Sequence, residues 1–229
     1  MISKVGFERI ALLRSDILKM ARYIQNICNK SSVAMLERNE HQARDVLYSD
    51  SVIDHYQIEL QKTIISLTGI LTPTGKDLRF LTMTMSIVNT LERIGDKFVS
   101  ICELAMVLIK KPPIGYYEKL RTMFDGVSLM LKGSIDNLVD PSLLEAERLC
   151  RNDSNIDSLL EGVRNDLLSN MEQSPSITSR AVDLLRVFCD LEEIADLCTE
   201  LMEAAVYIDT GKYYRCMNDI FQPVDFKAY

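Results

Sequence analysis

The carboxylates best placed to do chemistry lie in a motif that the chain repeats. Leu91-Glu92-Arg93-Ile94-Gly95-Asp96 reappears as Leu191-Glu192-Glu193-Ile194-Ala195-Asp196. Glu and Asp four residues apart share one face of a helix, where like charges repel and lower stability. A chain that carries this repulsion twice, in matching places, is expected to hold a cation there. Carboxylates on helices are oxygen ligands that suit magnesium, manganese, calcium or iron.

A second repeated segment lies upstream of each motif. Asp50-Ser51-Val52-Ile53-Asp54 returns as Asp153-Ser154-Asn155-Ile156-Asp157. Two matches in the same order indicate an internal duplication. These segments fall on the helices next to the E-x-x-x-D motifs. Asp54 and Asp157 therefore either complete each site or are ordinary surface charges of their helices.

The acidic residues continue along both motif helices. With about 100° per residue, Glu92, Asp96 and Glu103 fall within about 40° of one another. A single E-x-x-x-D is most often a solvated helix surface, but its repetition with the same apolar neighbours favours a metal site. The candidate metal ligands are Glu92, Asp96, Glu192 and Asp196, with Asp54, Asp157, Glu103 and Glu203 as secondary candidates. The acidic stripe on the helix that carries the second motif also contains Glu200.

The elements that carry these residues are predicted to be helices. Only 9 Gly and 6 Pro punctuate 229 residues, which favours long helices over a fold rich in turns. Apolar residues of the first helix recur every three or four positions, from Ile10 to Ile27. We predict an all-α fold, a duplicated three-helix bundle of six long antiparallel helices. The predicted helices span about residues 10–29, 33–68, 77–110, 116–137, 143–171 and 174–211.

The strongest boundary is Lys110-Lys111-Pro112-Pro113-Ile114-Gly115, because each proline disfavours helix at the residue before it and lacks a backbone donor. We therefore predict a first three-helix repeat over residues 1–111 and a second over 112–211. Residues 212–229 show no clear period and are treated as a C-terminal tail.

Composition excludes several classes of function. A net charge of −7 argues against a nucleic-acid binder. No apolar run approaches a membrane span, and charged residues stand where a signal peptide needs an apolar core, so we expect a soluble protein without direct membrane insertion. Six cysteines without a C-x-x-C pair predict reduced, mostly buried thiols and a cytoplasmic location.

Catalytic motifs are scarce. Neither His41 nor His55 follows a glutamate by three residues, so the Glu-x-x-His pairs of ferritin-like di-iron bundles are missing. The motifs of zinc proteases and serine hydrolases are missing too. Hydrolytic catalysis therefore has little support. A metal-dependent helical-bundle enzyme or a metal-storage protein stays open as an alternative.

The motifs resemble those of the PhoU family of phosphate-uptake regulators. The resemblance rests on the first E-x-x-x-D motif, on Asp77-Leu78-Arg79-Phe80-Leu81 before it, and on the second copy, which runs through Ala204-Ala205-Val206-Tyr207 to Thr210-Gly211. It covers about residues 10–212, nearly the whole chain.

The resemblance implies metal ions or metal clusters at Glu92 with Asp96 and at Glu192 with Asp196. The metal is left open among iron, zinc, manganese and magnesium, since oxygen ligands discriminate weakly. It further implies a cytoplasmic negative regulator of phosphate uptake and of the phosphate-starvation response, peripheral to the inner membrane through its partners. Such a regulator is not an enzyme. Those partners are the ATPase subunit of a Pst-type ABC transporter, a phosphate-sensing histidine kinase and a second copy of the chain. An accessory regulator of a different transporter is the other alternative.

Two departures from the family pattern bear on the sites. Glu193 stands where the family usually has Arg, so the second site is expected to be more acidic and to lack a local counter-charge. Lys97 follows Asp96 and is expected to compete with metal for that carboxylate. The second site is therefore predicted to suit metal better than the first.

Overall fold

The computed structural model describes residues 4–217 and 219–224, and long helices dominate it, as predicted. Residues 1–3 of the predicted first repeat, and residues 218 and 225–229 of the predicted tail, lie outside the described residues. The helices are α1 (Lys4–Leu36), α2 (Glu40–Leu47), α3 (Asp50–Ile70), α4 (Gly75–Leu108), α5 (Tyr117–Val139), α6 (Leu143–Gln173) and α7 (Thr178–Thr210). A 3₁₀ turn (Pro175–Ile177) precedes α7, and two strands follow it, β1 (Tyr214–Met217) and β2 (Ile220–Pro223).

The apolar stripes of the helices meet in one continuous core. The stripe of α1, from Ile10 through Met20 to Ile27, is at most 4% exposed. Both halves of the chain contribute to this core, since α1 packs against α4 and α5 and α7 packs against α4, α5 and α6. The all-α prediction with six long helices is confirmed.

The polar segment at residues 29–32, predicted to end the first helix, lies inside α1. Ser31 is fully buried, and its hydroxyl donates to the carbonyl of Ile27 at 2.9 Å. A serine can satisfy its hydroxyl on its own helix in this way, so it can be buried without a break. The Cys102 thiol of α4 approaches the same hydroxyl at 3.4 Å.

The predicted second helix is instead two helices, α2 and α3, because the chain turns before each of them. Arg38 adopts a left-handed backbone conformation, with φ 54°. The side chain of Asn39 then accepts a hydrogen bond from the Gln42 N–H and caps α2. This turn contains neither glycine nor proline, so the usual breaker signals are lacking.

Arg38 also closes the C-terminal end of α4. Its guanidinium donates to the carbonyls of Leu108, Ile109 and Lys111, at 3.1, 2.7 and 2.7 Å. The last carbonyls of a helix lack partners in the helix itself, so a buried helix end needs such a donor. The turn after α1 thus holds the start of the proline-rich connection between the two halves.

Helices α4 and α7 pack antiparallel along most of their length. Lys76 of α4 pairs with Asp209 at one end, at 2.5 Å. Lys111, just after α4, pairs with Asp183 at the other end, at 2.9 Å. Each helix carries one E-x-x-x-D motif, so this packing sets the relative position of the two motifs.

Part of the segment predicted to be an irregular tail forms a β-hairpin. Strands β1 and β2 pair antiparallel, with Cys216 opposite Phe221. Cys216 forms a disulfide with Cys150 of α6. The prediction of reduced thiols is therefore wrong for this pair, although Cys28, Cys102, Cys189 and Cys198 are free. Strands of four residues are too short to show a period, and spacing alone does not reveal which cysteines pair.

Among the described residues, no helix is long and apolar enough to cross a bilayer. The domain boundaries at residues 111 and 211 stay predictions.

We expect Gly95→Ala to destabilise the protein, because α3 approaches α4 closely at this glycine. A Cβ at Gly95 would lie 2.5 Å from Cδ1 and 3.2 Å from Cγ2 of the fully buried Ile53. Overpacking of this kind lowers the free energy of unfolding by about 1–3 kcal/mol, more than alanine adds through helix propensity. Gly162→Ala is the matched control, since a Cβ there meets nothing within 4 Å. Urea denaturation should show a gain of up to about 1 kcal/mol for the control. Equal effects of the two substitutions would contradict the close approach.

Candidate cation-binding sites

The first E-x-x-x-D motif lies against the upstream repeated segment. Gly95, between Glu92 and Asp96, has no side chain, so Ile53 of α3 packs closely against α4 there. This contact brings Asp50 and Asp54, at the two ends of the D-S-x-I-D segment, to the motif. We call Asp50, Asp54, Glu92 and Asp96 the first acidic cluster. Glu92 is half-buried, and the other three are exposed.

Like charges inside the first cluster disfavour ionisation. Burial raises the pKa of Glu92, and the charges of Asp96 and Asp54 raise it further. Burial, Asp50 and Asp54 likewise raise the pKa of Asp96. A carboxylate next to other carboxylates is stabilised when a cation shares the site. A cation at this cluster would therefore favour the ionised form of its carboxylates.

The second cluster repeats this arrangement on α6 and α7. It consists of Asp153, Asp157, Glu192 and Asp196. Burial raises the pKa of Glu192, and Asp196 and Asp157 add to the shift. The pKa of Asp196 is raised by burial and then by Asp157 and Glu200.

Asp153 is the most perturbed carboxylate of the second cluster. Burial, followed by the charges of Asp196, Asp157 and Glu192, raises its pKa to about 7. Its Oδ1 atom is buried and accepts no hydrogen bond from the described residues. Buried polar atoms are nearly always paired, so this oxygen lacks a partner of the kind that a cation supplies.

The donors of both clusters are carboxylate oxygens alone, which suits hard cations better than soft ones. In the described part of the chain, however, no three His, Cys, Asp or Glu side chains converge on one point as a ready set of ligands. Binding would require some of these side chains to change rotamer. The residues fit a cation in chemistry and in charge.

Comparison with known proteins identifies the fold and the repeat. The model of the PhoU domain matches residues 17–105 and again 120–205, and each match contains one E-x-x-x-D motif. The chain belongs to the PhoU family.

Three relatives illustrate the PhoU similarity. The "phosphate-specific transport system accessory protein PhoU homolog 2" of Thermotoga maritima is 32% identical over 212 residues, which cover 93% of this chain and 90% of that protein. The corresponding PhoU of Escherichia coli is 24% identical, over 89% and 84% of the two chains. The crystal structure of PhoU from Pseudomonas aeruginosa superposes with a TM-score of 0.86 at 21% identity, covering 89% of this chain and 98% of that one.

Two secondary candidates lie apart from the clusters of this PhoU-family chain. Glu203 forms an ion pair with Arg215 and accepts the N–H of Cys216 at 3.1 Å, so it holds the hairpin. Glu103 is exposed on α4. Glu200, which extends the second stripe, faces α4, where Arg93 lies 3.5 Å away. The acidic residues predicted to share one helix face therefore contact different parts of the structure.

The two departures from the PhoU pattern have a different consequence from the one expected. Glu193 does not lack a counter-charge, because Lys97 lies 2.5 Å from it and Arg93 4.0 Å. Burial opposes the charge of Lys97, but hydrogen bonds to Glu193 and Asp190 outweigh it and raise the pKa of this lysine. Lys97 is therefore engaged across the α4–α7 contact rather than beside Asp96.

The sequence reasoning missed three acidic residues near the PhoU sites. Asp50 and Asp153 occupy the first position of the D-S-x-I-D segments, and the repetition itself was the signal that could have found them. Asp219, in the turn of the hairpin, adds to the effect of burial on the pKa of Asp157. No sequence signal linked that residue to the cluster.

We expect Asp153→Asn to stabilise the metal-free protein at alkaline pH. A carboxyl whose pKa is about 7 in the folded state and near 4 in the unfolded state favours folding at low pH, and this contribution is lost as pH rises from about 4 to about 7. In chelator-treated protein the substitution should add about 1–2 kcal/mol to the free energy of unfolding at pH 8, allowing for solvent screening.

The same substitution should add little at pH 4, where Asp153 is protonated in the folded state and about half protonated in the unfolded state. Urea titrations at the two pH values test this, with Asp136→Asn on the exposed face of α5 as the control. A gain of equal size at both pH values would show that the carboxylate charge is not the cause.

Proposed function

We propose that this PhoU-family protein is a cytoplasmic accessory protein of phosphate transport that restrains phosphate uptake and the phosphate-starvation response. It does so through protein contacts and not as an enzyme. The names of its relatives in Thermotoga maritima and Escherichia coli, phosphate-specific transport system accessory proteins, support the link to transport. The match of the PhoU domain to both halves of the chain is the observation that carries the proposal.

The proposed partners are the ATPase subunit of a Pst-type phosphate transporter and a phosphate-sensing histidine kinase. Through them the protein would be peripheral to the inner membrane. A homodimer is part of the same proposal. All three partners come from the family resemblance.

We further propose that each acidic cluster holds metal ions. In the first cluster Glu92 and Asp96 would bind, with Asp50 and Asp54 from α3. In the second, Glu192 and Asp196 would bind, with Asp153 and Asp157 from α6. The unpaired buried oxygen of Asp153 and the mutual repulsion of the carboxylates support this proposal.

A bound cation would supply positive charge to these carboxylates, and its role is structural and electrostatic. It would favour the ionised form of the acidic side chains and hold α3 to α4 and α6 to α7. Magnesium and manganese suit carboxylate donors best, and iron and zinc stay open as alternatives.

Elemental analysis of protein purified without chelator tests the metal proposal. We expect wild-type protein to retain metal, and a variant with Glu92, Asp96, Glu192 and Asp196 all changed to alanine to lose it. The control removes four exposed acidic residues elsewhere, Glu118, Asp136, Glu161 and Glu172, and so changes the net charge equally. Equal metal content in both variants, or metal-free wild type after reloading, would count against the clusters.

Deletion of the gene in its own host tests the regulatory proposal. We expect uptake of labelled phosphate in phosphate-rich medium to rise at least severalfold, and the plasmid-borne gene to restore it. Affinity purification of the tagged protein from crosslinked cells should recover a transporter ATPase. Recovery of a different transporter would favour the alternative partner, and unchanged uptake would contradict a role in phosphate control.

A further inference from the structure

The hairpin of β1 and β2 is fastened to the helices that carry the second acidic cluster. The Cys150–Cys216 disulfide joins β1 to α6. Glu203 of α7 accepts the backbone N–H of Cys216 at 3.1 Å and forms an ion pair with Arg215. The hairpin is therefore attached to both helices of the second cluster, and one attachment is covalent.

The turn of the hairpin reaches the cluster itself. Ser154, next to Asp153 in the repeated segment, donates its hydroxyl to the carboxylate of Asp219. The charge of Asp219 acts on Asp157, one helical turn further along α6. Asp219 has a left-handed backbone conformation, with φ 67°, so the backbone of the turn fixes the direction in which its side chain leaves the main chain. The hairpin thus brings a fifth carboxylate to the four of the second cluster.

We propose that Asp219 belongs to the second cation site and that the Cys150–Cys216 disulfide keeps it there, so that the cation affinity of this site depends on the redox state of the two cysteines. This inference rests on the proposed cation-binding role of the clusters. It concerns the second site alone, because the hairpin packs on α6 and α7 and the first cluster lies on α3 and α4.

Reduction of the disulfide requires a dithiol reductant. Its thiolate attacks Sγ of Cys216, since this cysteine is partly exposed whereas Cys150 is fully buried. The S–S bond breaks, the Cys150 thiolate leaves and takes up a proton, and a mixed disulfide remains on Cys216. The second thiol of the reductant resolves this intermediate and releases the Cys216 thiol. The reductant becomes a disulfide, and the protein has gained two electrons and two protons.

Without the disulfide the hairpin is held to the helices by non-covalent contacts. An isolated two-stranded hairpin is marginally stable in water. Among the described residues these contacts include those of Glu203, the hydrogen bond from Ser154 to Asp219, the stacking of Tyr213 on Tyr207 and the packing of Phe221, which is 9% exposed. Reduction removes the covalent tie to α6, so the turn, and Asp219 with it, leaves the cluster more readily.

The test measures Mn²⁺ binding to one site at a time by electron paramagnetic resonance of the free ion. A Glu92→Ala, Asp96→Ala variant isolates the second site, and a Glu192→Ala, Asp196→Ala variant isolates the first. We expect a phosphine reductant to weaken Mn²⁺ binding about tenfold at the second site, the effect of losing a supporting carboxylate, and to leave the first unchanged.

Two further variants exclude an effect of the reductant on the metal. In the background that isolates the second site, Cys150→Ser with Cys216→Ser should bind as weakly as reduced protein without any reductant. Asp219→Asn should weaken binding to the oxidised protein by the same factor, and reduction should then add nothing. Circular dichroism shows that each variant is folded.

Thiol counting in denatured, unreduced protein comes first, and we expect the four free cysteines and no more. Six reactive thiols in air-oxidised protein would overturn the inference. Equal Mn²⁺ affinity of oxidised, reduced and Asp219→Asn protein would overturn it too, and would leave the proposed cation sites intact. Absence of binding at both sites in every redox state would instead remove the proposed cation function and this inference with it.

Discussion

The arrangement of the molecule depends on a buried carboxylate between the two halves of the chain. Asp190 of α7 is only 6% exposed, and it accepts hydrogen bonds from Lys97 at 3.1 Å and from Ser100 at 2.9 Å, both on α4. A buried charge is strongly unfavourable unless it is paired, so α4 and α7 must meet in the register that supplies these donors. Each of these helices carries one acidic motif. The Asp190 contact therefore fixes where both clusters lie.

The duplication explains why Glu193 differs from its counterpart in the first repeat. Arg93 and Glu193 occupy equivalent positions of the two motifs, and they face each other across the antiparallel contact of α4 with α7, with 4.0 Å between their charged atoms. An arginine at both positions would place like charges opposite each other, so this pairing favours divergence of the two copies. Two further hydrogen bonds are related by the same duplication. Thr90 donates to Glu200, and Ser100, the counterpart of Glu200, donates to Asp190, the counterpart of Thr90.

The features that sequence could predict are those with a local physical signature. The apolar stripe from Ile10 to Ile27 predicts a helix because burial on one face requires that spacing. The acidic clusters follow from a repeated motif. The turn at Arg38 could not be predicted, since its left-handed backbone accompanies tertiary hydrogen bonds from the Arg38 guanidinium to the end of α4. The partner of Cys216 could not be read either, because Cys150 lies 66 residues away and only the packing of α6 brings it close.

The two clusters share a motif but differ in how deeply their carboxylates are buried and in how much negative charge surrounds them. Asp50 of the first cluster is exposed, whereas Asp153, its equivalent, is partly buried and has an unpaired oxygen. The hairpin adds the charge of Asp219 to the second cluster. More negative charge in a less hydrated place attracts a cation more strongly. We therefore expect the second site to suit metal better because of Asp153 and Asp219, and not because of Glu193, whose charge Lys97 and Arg93 already neutralise. The duplicated fold thus carries two acidic clusters that differ in burial and in charge around one core.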